Sequence, residues 1–155
     1  MGEILNKRLK QKKFESTEQE ALLNIFVASN HLKAKIEGAS STVGITSSQY
    51  NVLRILKGKY PDGYPRSEII VRMIDPAPDV TRIIDRLIKQ GLVERYTSNT
   101  DRRLSLTKIT KEGLKALKKV KPRIDSQYLL ISKKLNKTER KQLSNLLERI
   151  YADLF

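Results

Sequence analysis

Apolar residues recur along most of this chain at intervals of three and four, the spacing of one helix face. Leu22, Ile25, Phe26, Leu32 and Ile36 form the first such stripe, and Gly38 with the small residues behind it is its predicted end. Ser16 or Thr17 can cap this helix, with Gln19 or Glu20 completing a capping box. Thr46 or Ser47 opens a second helix carrying Tyr50, Leu53 and Leu56, stopped by Gly58. The stretch KYPDGYP reads as a turn, and a short helix follows over 66–73. In the interruption DPAPD, Asp75 suits an N-cap and Pro76 and Pro78 a first helical turn.

The next helix is predicted over about 77–90. Val80, Ile83, Ile84, Leu87 and Ile88 make its apolar stripe; Asp79, Thr81, Arg82, Asp85, Arg86 and Lys89 lie off it. Gly91 follows in the position that ends helices with a left-handed residue. Short helix, tight turn and second helix make a helix-turn-helix. Then LVERYT and RRLSLTKI, separated by SNTD, give a hairpin with a polar tip over about 97–103. Thr110 caps a long helix bearing Leu114, Leu117, Val120, Ile124, Tyr128, Ile131 and Leu135, which Pro122 should kink or break. Asn136 and Glu139 can cap a last helix striped by Leu143, Leu146, Leu147, Ile150, Tyr151 and Leu154.

The predicted fold is therefore mainly α with a small β-hairpin wing. A winged helix-turn-helix over 46–110 is flanked by helical regions at 17–45 and 111–155 and by a basic tail at 1–16. The flanking stripes lie outside a minimal winged helix, and a second subunit is a natural cover for them.

Charge changes the picture more than composition does. The net charge of +14 and a pI near 10.0 favour a polyanionic partner, nucleic acid before an anionic membrane surface. The surplus is uneven: residues 66–103 carry eight basic and six acidic side chains, whereas 108–134 carry nine and two. Charge thus supports a nucleic-acid partner without locating the contact. The chain has no cysteine and one histidine, His31, which excludes disulfides, cysteine-zinc sites and thiol redox sensing and argues against a dedicated zinc or copper site; no cofactor is expected. No glycine-rich phosphate loop, nucleophilic triad or histidine cluster points to an enzyme. The basic N-terminus lacks the apolar core of a signal peptide, and no apolar run approaches ~20 residues, so a soluble, cytoplasmic protein is expected.

The string DVTRIIDRLIKQGLVERYTSNTDRRLSLTKITKEG, residues 79–113, resembles the core of the multiple-antibiotic-resistance regulator (MarR) family. VTRIIDRL is similar to the family's recognition helix, KQGLVER to its exit into the wing, and DRRLSLTKITKEG to its wing signature. Asp101, Arg103, Ile109, Thr110 and Gly113 carry that signature. The resemblance implies a homodimeric transcription regulator, most often a repressor, whose terminal helices intertwine. It implies double-stranded DNA with a near-palindromic operator as partner, the recognition helix in the major groove and the wing in the minor groove. It also implies release by a small aromatic or lipophilic anionic effector bound between the lobes.

Within that frame, Arg82 and Arg86 lie one turn apart on the reader helix. A guanidinium bonding guanine O6 and N7 contributes roughly 1–3 kcal/mol of discrimination. Thr81 ranks with Arg82 as the leading base contact, while Pro78 and Asp79 are candidates at the helix start. Asp85 is an acid on a DNA-facing helix; the resemblance implies pairing with Arg102 or Arg103, and a plain surface charge is an equal reading. By the same resemblance Asp101 holds the tip arginine, and Arg103 enters the minor groove. Arg95, Arg102, Ser98 and Asn99 are candidate phosphate contacts nearby, and Arg66 and Ser67 are others on the shorter helix. Phe26, His31 and Tyr50 are candidates for an effector pocket. The rival readings are a winged helix used for protein–protein contact and a basic binder of membrane surfaces.

Overall fold

The computed structural model describes residues 2–75, 79–98 and 100–154. Its elements in order are α1 (Glu3–Leu9), α2 (Thr17–Ser41), α3 (Ser47–Lys57), β1 (Tyr64–Pro65), α4 (Arg66–Val71) and α5 (Val80–Lys89). Then come β2 (Val93–Thr97), β3 (Ser105–Ile109), α6 (Lys111–Lys134) and α7 (Lys137–Tyr151), ending in a short 3-10 turn.

The helix starts follow the capping chemistry read from sequence. Ser16 accepts a hydrogen bond from the Gln19 amide, and Thr46 and Asn136 form complete capping boxes with Gln49 and Glu139. Two features differ. The segment expected as a basic tail contains α1, because Leu5 has a place to bury. α2 does end in the small-residue run behind Gly38, at Ser41, its Ser40 hydroxyl donating to the Ile36 carbonyl at 2.8 Å, and the positive-φ turn falls at Gly44. Pro122 does not break α6, since Val120 and Ile124 on either side of it are packed against α2 at Ala39 and Ile36.

The wing is a three-stranded antiparallel sheet in the order β1-β3-β2. Val93 faces Ile109 and Thr97 faces Ser105, while Tyr64 and Pro65 add a short third strand along β3 that the sequence pattern reads as turn. The sheet's inner face joins α3, α4 and α5 in the main core, built from Val52, Leu53, Leu56, Ile69, Ile84, Leu87, Val93 and Ile109. Burying each such side chain contributes about 1.5–3 kcal/mol by transfer.

Two glycines hold the reader helix and the wing in place. Gly91 has φ +69°, letting the Leu92 amide donate to the Leu87 carbonyl at 3.0 Å and the Gly91 amide to Ile88 at 2.9 Å. That pair of bonds is a Schellman stop, which turns the chain from α5 into β2. Gly113, in the first turn of α6, passes so close to this corner that an added Cβ would lie 2.2 Å from the Leu92 carbonyl oxygen. The Thr110 hydroxyl accepts from the Gly113 amide and donates to the Gly91 carbonyl, tying the corner to the start of α6.

Candidate nucleic-acid interface

The reader helix begins at Val80, with Asp79 as its cap: the Asp79 carboxylate accepts from the Arg82 amide at 3.0 Å. The cap expected at Asp75 is therefore four residues too early, and Asp75 instead pairs with Lys33 of α2 at 2.8 Å. Asp79 thus has a structural occupation, which also brings its carboxylate 3.5 Å from Nε of Arg82. Pro76 and Pro78 lie outside the described residues, as does Asn99. Val80, Ile84 and Leu87 anchor one face of α5 in the core, leaving Thr81, Arg82, Asp85, Arg86 and Lys89 on one open surface. Arg86 has no ion-pair partner among the described residues.

Thr81 is not free. Its hydroxyl accepts a hydrogen bond from the Arg66 guanidinium at 2.9 Å, so two residues expected to contact DNA separately act as a pair across the helix-turn-helix. Ser67 is exposed in the first turn of α4.

The wing corrects two expectations. Asp85 reaches the wing, but through Arg95 at 2.9 Å rather than Arg102 or Arg103. Arg95 stands on β2 opposite the reader helix, whereas the tip arginines lie beyond it. Ser98 is 7% exposed and does not present its hydroxyl outward; it accepts from the Thr100 and Asp101 amides. Asp101 holds the backbone of the tip arginine, accepting from the Arg103 amide at 2.9 Å. These bonds, with the Ser98 amide donating to Leu104 and the Leu104 amide to Asp101, close the tip and leave the Arg102 and Arg103 side chains exposed. Neither arginine has an ion-pair partner among the described residues.

The candidate effector residues divide. Phe26 and His31 are exposed on α2 and are not part of the lining of the cleft at Tyr50. Tyr50 is half-buried between α3 and α6, where burial pushes its phenol up and the Arg54 guanidinium beside it pulls it down. Arg54 was one helical turn from Tyr50 in sequence, a spacing that could have marked it. Among the described residues, no group of three or more His, Asp or Glu is placed to hold a metal, and no helix is long and apolar enough to cross a membrane.

A short-helix turn feeding an exposed cationic helix, followed by a sheet whose tip presents two unpaired arginines, defines a winged helix-turn-helix. The comparisons with known proteins agree. The MarR family model matches residues 67–105. A MarR transcription factor from Planctomyces limnophilus is 34% identical, with 88% of this chain and 98% of that one aligned at a TM-score of 0.65. The chain belongs to the MarR family, whose members are transcription regulators and not enzymes. A putative regulatory protein for the hcr operon of Thauera aromatica is 30% identical over 72% of this chain and 66% of its own length. The chain thus spans just under two thirds of that relative. The fold also matches the S. aureus MepR–DNA complex, at a TM-score of 0.79 and 21% identity, over 90% of this chain and all of that one.

Proposed function

We propose that this protein is a homodimeric, sequence-specific DNA-binding transcription regulator, a repressor released by a small-molecule effector. The observation that carries the reading is the set of unpartnered arginines on two elements braced to each other. Arg86 stands on α5, Arg102 and Arg103 on the wing tip, and the Asp85–Arg95 pair joins helix to wing. Exposed arginines on a rigid frame gain their partners only when a polyanion arrives. Arg82 and Arg86 read base edges in the major groove. Arg103 enters the minor groove, where narrow A·T-rich stretches concentrate negative potential. Arg95 and Arg102 engage phosphates, which position the protein without specifying sequence.

The dimer reading is supported by α7, none of whose residues is buried although its apolar stripe is well formed. The effector reading is supported by the cleft at Tyr50. Its wall includes Ile74 and Asp75, in the segment leading to the reader helix. Winged-helix membership in a regulator family argues for DNA over a membrane surface, and the wing tip's two arginines add what a membrane binder does not need. The test is Arg103→Ala, measured on the duplex that wild type retains from a random pool. Affinity should fall at least tenfold at physiological salt while sedimentation shows an intact dimer; unchanged binding would remove the wing from the interface.

A further inference from the structure

Thr81 is the second residue of α5, half-buried, and it borders the open surface that carries Arg82, Asp85, Arg86 and Lys89. The first turn of a reader helix is the part that meets base edges. A lone hydroxyl there discriminates poorly, because it is donor and acceptor at once. It turns its hydrogen toward a base acceptor as readily as it offers a lone pair to a base amine.

The Thr81 hydroxyl does not have that freedom. Arg66, the first residue of α4, donates to it at 2.9 Å, so one lone pair is already taken. A guanidinium stays charged and has only hydrogens to offer. Its charge polarises the Thr81 O–H bond and strengthens it as a donor. It also sets a positive charge beside the remaining lone pair, which repels an incoming N–H. Arg66 has no ion-pair partner among the described residues, so no paired carboxylate offsets this field. Asp79, two residues before Thr81, is occupied by the amide and Nε of Arg82.

We propose that Arg66 fixes Thr81 as a hydrogen-bond donor, so that this threonine reads base acceptors in the major groove and rejects cytosine. Adenine and guanine present N7 there, guanine also O6, and thymine O4, whereas cytosine presents its N4 amine. Thr81 is then a specificity-determining residue, and Arg66 a positioning residue that acts through it. The other guanidinium hydrogens of Arg66 remain for a phosphate oxygen, which adds affinity without preference. This rests on the DNA reading above and adds the base class selected by a residue to which that reading gives no role.

The experiment is selection from a random duplex pool on the full-length protein and on Thr81→Val, Thr81→Ser and Arg66→Met, with the retained fractions sequenced. The operator position whose preference changes in Thr81→Val is the one that Thr81 reads. Wild type should disfavour cytosine there by roughly fivefold or more, the effect of two donors facing each other in place of one bond. Thr81→Ser should keep that preference, and Thr81→Val should lose it. Arg66→Met should reduce it to about twofold or less, because the freed hydroxyl turns a lone pair to the cytosine amine. A lost phosphate contact or a smaller folded fraction weakens all duplexes alike and leaves the ratio between bases unchanged. Equal loss on every sequence in Arg66→Met, with cytosine still rejected, therefore overturns the proposal. A Thr81→Val profile identical to wild type also overturns it and leaves the arginine readers standing. A wild type that retains no common sequence overturns the regulator reading and this inference together.

Discussion

The winged-helix unit and the terminal helices use the same apolar residues to opposite ends. In the first, Val52, Leu53, Leu56, Ile69 and Leu87 are wholly removed from solvent. In the second, Leu146, Ile150 and Leu154 of the C-terminal end are 56%, 68% and 77% exposed, although their spacing is as regular as that of α5. A stripe that regular is built to be covered. The contrast teaches that the winged-helix core closes within the chain, with Leu117 of α6 joining it, while the C-terminal end leaves its stripe open. α5 and the wing are thereby anchored to one core within a single chain, and in the proposed dimer the spacing between two α5 helices is left to whatever covers the terminal helices.

Breaking the self-sufficient half should have the largest effect. Leu53→Ala leaves a cavity in the main core and should cost about 2–5 kcal/mol, read as a fall in the denaturation midpoint. A cost well under 1 kcal/mol would mean that this core is not the stabilising unit. The double substitution Leu146→Lys/Ile150→Lys should act on assembly instead. Each buried leucine-class side chain contributes about 1.5–3 kcal/mol, so the dimer should dissociate in sedimentation velocity while the winged-helix signals persist in the NMR spectrum. A dimer that survives this change would place the interface elsewhere. Smallest of all is Asp85→Ala. Asp85 and Arg95 are both about half exposed, so stability should change by at most ~1 kcal/mol. The wing nevertheless loses its brace to the reader helix, and duplex affinity should drop severalfold. If affinity were untouched, helix and wing would not be acting as one unit.

How much of this was legible in the sequence follows the same division. Capping chemistry is local, so Ser16, Thr46, Thr110 and Asn136 marked true helix starts. The apolar stripe of α5 was readable because its three buried positions, Val80, Ile84 and Leu87, repeat at helical spacing. Contacts between residues far apart in the chain were less so. Arg66 meeting Thr81 and Arg95 meeting Asp85 depend on how the turn and the wing fold back. Nothing in residues 98–103 distinguishes a serine that faces phosphate from one that faces its own turn. Ser98 does the latter because the tight tip offers it two amides. Tyr64 and Pro65 are too short a strand for alternation to show, and only their pairing with β3 defines them. The cleft was half-visible: Tyr50 could be named, but Ile124 and Tyr128 of α6 join it only in space.

The central claim is that two such readers bind one duplex and read its sequence. The most direct measurement is selection from a random duplex pool, with the retained fraction sequenced and binding titrated against salt. The account predicts a near-palindrome whose half-sites are about one helical turn, ~34–36 Å, apart. Retained duplexes with no common sequence, bound with an affinity that simply collapses as salt rises, would contradict it, leaving only a cationic surface that takes any polyanion.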